Sequence, residues 1–101
     1  MERTLQSLLS GDPFEGYAVG RIDEILLAIQ NESDYDNIPH CQHEEILLAI
    51  LRGESYSGAV DGRISAILAS IANHTPYEEK PLSRVEGLLL EWKARRERSD
   101  S

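Results

Sequence analysis

His40, Cys41 and His43 fall within one short run, and side chains of these types invite two kinds of chemistry. Imidazoles and a thiolate ligate zinc, but such a knuckle is normally completed by a second ligand pair elsewhere. His74 is the one other histidine and Cys41 is the single cysteine, so no metal site is expected. A Cys–His nucleophile pair needs a thiolate held at low pKa by positive surroundings. Glu44 and Glu45 follow directly, and the chain has no phosphate-binding glycine loop and no serine elbow. Neither enzymatic activity nor a cofactor is expected. Cys41 reads instead as the occupant of a helix-cap slot held by Ser83 further on, and His43 takes the place of Ile22 and Val85 on a half-buried seam.

A second set of residues carries charge and aromatic faces. Arg21, Gln42, Arg63 and Arg84 recur with one fixed period, and Phe14, Tyr35, Tyr56 and Tyr77 recur with the same one. A cation in the first turn of a helix opposes the helix dipole, so something must compensate it. In a structural reading, Arg21, Arg63 and Arg84 each reach a carboxylate of an adjacent unit, their stems covering the recurring tyrosine. In a functional reading, these arginines with Tyr35, Tyr56 and Tyr77 frame pockets between repeats or subunits for an anionic, ring-bearing ligand such as a nucleotide.

The elements that position these residues follow from the repeat itself. GRIDEILLAI at Gly20–Ile29 returns as GRISAILASI at Gly62–Ile71, and sliding the chain from Gly20 onto Gly62 leaves about a third of aligned positions identical. The half-period of 21 links Ile25, Ile46, Ile67 and Leu88. Ile22, Ile25, Leu26 and Ile29 lie at i, i+3, i+4 and i+7, the stripe of an amphipathic helix. The pattern predicts an all-α domain spanning 1–101: a duplication, roughly 1–42 and 43–84, closed by a capping helix at 83–97. Helices are expected near 2–10, 21–31, 42–52, 63–73 and 83–97, each followed by a turn-rich connector. Gly11, Asn31, Gly53 and Asn73 stand where a left-handed terminal residue is wanted, and Ser83 to Glu86 has the form of a capping box.

Helices this short are marginal alone and must be held by neighbouring copies. Ile25, Leu26, Ile46, Leu47, Leu48, Ile50, Ile67, Leu89 and Trp92 are the expected packing and subunit-contact positions. Leu27, Leu48 and Leu90 widen the apolar stripe beyond one neighbour's reach, which predicts a homo-oligomer. The competing arrangement is a monomer with its first and last helices as caps.

Charge is unevenly placed. Residues 1–82 carry five Lys or Arg against fourteen Asp or Glu, and 83–101 carry five against four. An acidic body repels the phosphate backbone, so direct nucleic-acid binding is not expected. No run approaches the length of a signal sequence core or a membrane span, so a soluble chain with no membrane partner is expected. The cluster from Lys93 to Arg98 suits a helix C-terminus, either capping the stack or docking on another subunit's acidic body.

Pro81-Leu82-Ser83-Arg84-Val85-Glu86-Gly87-Leu88-Leu89 resembles the P-x-S-R-[IV]-E-x-[IL]-L segment of head-fibre, tail-fibre and related proteins of bacteriophages from Gram-positive hosts. The units at Arg21 and Arg63 are similar to degenerate copies. The resemblance implies chain association rather than catalysis, in the virion or the host cytoplasm. It implies a small virion assembly or decoration module, with a phage structural protein as partner. The alternative is an anti-defence protein that binds a host immune effector or sequesters a nucleotide signal.

Overall fold

The computed structural model describes residues 2–11, 20–36 and 38–99. They form five helices: α1 (Glu2–Ser10), α2 (Arg21–Asn31), α3 (Gln42–Arg52), α4 (Arg63–Asn73) and α5 (Arg84–Ser99). No strand occurs among the described residues, and the helix bounds agree closely with those expected. Phe14, whose aromatic phase the sequence singled out, lies outside the described residues.

The helix ends follow one rule with one correction. Left-handed backbone occurs at Gly11, Glu32, Gly53 and His74, the same position after each of α1 to α4. Asn31 and Asn73, expected to hold that conformation, are instead the last helical residues. The turn closes just after them, where the amides of Ser33 and Thr75 return to the Ala28 and Ser70 carbonyls at 2.9 and 3.1 Å. Asn73 spends its amide elsewhere: Oδ1 accepts from the Tyr56 backbone N–H at 2.6 Å and Nδ2 donates to the Tyr56 carbonyl at 2.8 Å. The capping box at Ser83 is half formed. The Glu86 N–H donates to Ser83 Oγ at 3.3 Å, but the Glu86 carboxylate accepts from the Leu82 N–H rather than that of Ser83.

All five helices run in one direction. The first turns of α2 and α3 are joined by Arg21 and Glu44, those of α4 and α5 by Arg63 and Glu86, and those of α5 and α1 by Arg84 and Glu2. Gln42 at the start of α3 accepts from the Asp61 N–H just ahead of α4, and Ser7 of α1 donates to Gln30 of α2. The connectors ahead of α3, α4 and α5 therefore return the chain from one end of the bundle to the other. Among the described residues each helix packs on two others only, and α5 packs on α1. The helices thus close a ring in the order α1, α2, α3, α4, α5. Its radius of gyration of 12.6 Å is that of an ordinary globular domain of this length.

The ring is filled in layers. Leu5, Leu26, Leu47, Leu68 and Leu89 share one phase of the repeat and are all exposed by 1% or less, so each unit sends one leucine to the centre. Ile25, Ile46 and Ile67 form the neighbouring layer, and Ile50, Ile71 and Trp92 lie one turn beyond. All nine expected packing residues are buried, and they meet one another inside the chain. Because each helix has two neighbours, the wide stripe is covered in cis: Leu48 is buried, and Leu27 and Leu90 are half-buried. The first and last helices, α1 and α5, pack on each other instead of capping an open stack.

Thr4 takes the place in α1 that isoleucine holds in α2, α3 and α4. It is 1% exposed, and its hydroxyl has no hydrogen-bond partner among the described residues. A buried hydroxyl without a partner costs about 1–3 kcal/mol. Thr4→Val keeps the shape and removes the hydroxyl, so urea denaturation is expected to show stabilisation by about 1 kcal/mol. A destabilised Thr4→Val would place that hydroxyl in a hydrogen bond.

Candidate functional site

The arginines singled out by spacing build a repeated clamp between helices. Arg21 Nε donates to Glu44 Oε1 at 2.7 Å, and its Nη2 donates to the Ile38 carbonyl. Arg63 Nε donates to Glu86 Oε1 at 2.9 Å, its Nη2 to the Lys80 carbonyl at 2.7 Å, and Nη1 lies 3.6 Å from Glu79. The two clamps match atom for atom at Nε and Nη2. In each, one cation joins the first turn of its helix to the next helix and to the end of the intervening connector. The glutamate meanwhile ties the preceding connector to its own helix, accepting from the backbone N–H of His40 or Leu82.

This answers the dipole conflict posed by an arginine in the first turn. Each guanidinium is neutralised by a carboxylate in the first turn of the next parallel helix, where negative charge is favoured. The acceptor positions Glu2, Asp23, Glu44, Ser65 and Glu86 themselves form one phase of the repeat. Sequence reasoning missed that phase, because the dipole conflict points to the arginines and not to the positions they reach. At the seam between α3 and α4 both positions are neutral. Gln42 stands in the arginine phase and Ser65 in the acid phase, and no guanidinium–carboxylate pair joins these two positions. Gln42 Nε2 donates to Tyr56 Oη at 3.1 Å and to the Ala59 carbonyl, and Ser65 Oγ bonds Asp61 at 3.0 Å. Removing charge from both sides avoids stranding a buried carboxylate.

Burial pushes the Glu44 carboxyl upward, but the Arg21 guanidinium, the His40 amide and the Cys41 thiol outweigh it. The group is held below its ordinary value of 4.5. The hydrogen bond to Glu44 raises Arg21, and the one to Glu86 raises Arg63. Between the depressed folded value and the ordinary 4.5 the unfolded chain binds more protons at Glu44 than the folded one, so stability rises with pH there. Glu44's contribution is complete above about pH 5 and is lost as pH falls through the folded value. Melting curves from about pH 7 to about pH 3 should show a shallower acid limb for Glu44→Gln than for the parent. Parallel limbs would remove Glu44 from the account.

The tyrosines serve the same clamps. The Arg21 guanidinium carbon lies 6.0 Å from the Tyr35 ring centroid, and Tyr35 Oη is 3.5 Å from Glu24. Tyr77 belongs to the Arg63 clamp, where burial pushes its phenol upward against the pull of that guanidinium. Tyr56 sits with Gln42 at the seam between α3 and α4. Arg84 pairs with Glu2 at 2.9 Å and is the most exposed of the three, with 79% of its side chain accessible. Arginine and tyrosine are thus brought together, with the guanidiniums of Arg21 and Arg63 turned to internal carboxylates.

The histidine and cysteine cluster lies at the start of α3. Cys41 is the residue before the helix, exposed, with its thiol 3.5 Å from Glu44 Oε2; His43 is half-buried. Among the described residues no three His, Cys, Asp or Glu side chains converge as metal ligands. A groove of about 570 Å³ opens at the opposite end of the ring, lined in part by Tyr35, Arg52, Arg96, Glu32, Asp34 and Asp36. Its mixed charge selects neither anion nor cation. Exposed large apolar side chains among the described residues are Ile38, Val60 and Leu82, one in each connector ahead of α3, α4 and α5. No described helix is long and apolar enough to cross a membrane. Comparison with protein-family models, curated proteins and solved structures finds no match to this chain.

Proposed function

We propose that the chain is a non-enzymatic assembly module of bacteriophage type, acting through self-association and binding as a small virion assembly or decoration component. The observation that carries this reading is the use of the arginine and glutamate phases. Arg21, Arg63 and Arg84 each bond a carboxylate of the neighbouring helical unit. Arg84 and Glu86 belong to the segment that resembles phage fibre proteins, so the resembling residues are those that join units. Residues that join units within a chain suit a role in joining chains. The competing anti-defence reading, with a captured nucleotide signal, gains nothing from guanidiniums already held by carboxylates.

The test has two arms. Mass spectrometry of purified phage particles is expected to find the chain at a fixed ratio to the major structural proteins. A thermal-shift panel of cyclic and linear nucleotides is expected to move the melting midpoint by less than about 1 °C. Absence from particles, or a rise of several degrees with one nucleotide, would overturn the reading.

A further inference from the structure

We propose that the seam between α1 and α5 is an exchangeable joint: α1 of a second copy docks on α5 in the register held by the chain's own α1, and reciprocal docking closes a swapped dimer. The inference rests on the assembly reading above and names the surface through which assembly proceeds.

The register singles out this seam. In the two charged clamps within the chain, the arginine at position i reaches the glutamate at i+23, from Arg21 to Glu44 and from Arg63 to Glu86. Counting 23 ahead of Arg84 gives 107, and subtracting five units of 21 gives 2, the position of Glu2. The closing seam is therefore built to the rule that joins consecutive units, although no connector bridges it. An interface that follows the rule for successive units accepts the next unit from any chain that presents it. The acceptor chemistry is specific to a further copy: a glutamate in the first turn with Leu5, Leu8 and Leu9 on the stripe behind it.

The seam is also the most accessible of the charged ones. The Arg84 and Glu2 side chains are 79% and 38% exposed, against 32% and 7% for Arg21 and Glu44. An exposed pair contributes less than a half-buried one, so the ion pair of this seam is the least costly of the three to break, while Arg95 also donates to the Leu9 carbonyl across it. α1 is the shortest of the five helices. A swapped dimer remakes every contact that the two closed rings lose, so its formation turns on concentration rather than on new chemistry.

The experiment uses two full-length variants, Glu2→Arg and Arg84→Glu. Each sets like charges across its own seam. In a swapped heterodimer both joints pair a cation with a carboxylate. The arginine introduced at position 2 of the first variant meets the glutamate introduced at position 84 of the second, and the first variant's native Arg84 meets the second's native Glu2. After warming to the melting midpoint and cooling, light scattering on the equimolar mixture is expected to show roughly tenfold more species at twice 11.3 kDa than either variant alone. The double variant Glu2→Arg/Arg84→Glu restores the pair in cis and is expected to behave as the parent. A mixture that matches the separate variants overturns the joint. Should a variant fail to fold, pools of parent chain with and without ¹⁵N, warmed together and read by native mass spectrometry, must give mixed dimers; their absence overturns it too. Failure here with the chain present in particles removes the joint and leaves the assembly role. Mixed dimers with the chain absent from particles do the reverse.

Discussion

Leu47→Ala is expected to lower the unfolding free energy by about 3 kcal/mol, because a fully buried leucine leaves a cavity that surrounding side chains fill only in part. For a domain of this size that is a fall of roughly 12–24 °C in the melting midpoint. The same loss is expected, within about 1 kcal/mol, at Leu5, Leu26, Leu68 and Leu89, since all five occupy one layer at equal burial. Leu82, 74% exposed, is the control: Leu82→Ala should change stability by less than about 0.5 kcal/mol. Urea denaturation with an unchanged m-value is the measurement. A small effect at Leu5 and Leu89 with a full effect at Leu47 would mean that α1 and α5 do not complete the ring.

Reversing one clamp should produce the second large effect. Arg21→Glu places a carboxylate against Glu44, whose side chain is only 7% exposed, in a first turn that retains no cation to answer it. A like-charge pair at a half-buried seam is far worse than a lost surface ion pair, and the melting midpoint is expected to fall by more than about 10 °C. The double variant Arg21→Glu/Glu44→Arg remakes the pair with its polarity exchanged and should recover about half of that loss. Recovery stays partial because Glu44 also accepts from the His40 amide and the Cys41 thiol, which an arginine cannot do. Additive losses in the double variant would show that Arg21 and Glu44 do not act on each other.

The helices were legible because their period is strong and local. Apolar stripes and recurring punctuation place all five elements close to their observed bounds. The terminal left-handed residue falls just past Asn31 and Asn73 rather than on them, although asparagine tolerates that conformation better than the Glu32 that adopts it after α2. The pairing of Arg21 and Arg63 with carboxylates of adjacent units was also readable, from the dipole conflict alone. Their acceptors were not, because Glu44 and Glu86 face across a seam and no local rule links positions i and i+23. Ring closure was likewise hidden. Nothing in the repeat period says whether five units spiral open or meet; that depends on the small rotation at each of several seams. The leucine layer at positions 5, 26, 47, 68 and 89 is the sequence record of a common centre, and only closure gives that spacing its meaning.

Closure is the claim on which the assembly reading and the joint both depend, and methyl NOE spectroscopy on a dilute sample tests it most directly. The closed ring predicts contacts from Leu5, Leu8 and Leu9 of α1 to Val85, Leu88 and Leu89 of α5, alongside those from α1 to α2. A folded, monomeric sample whose α1 methyls see α2 but never α5 would contradict it.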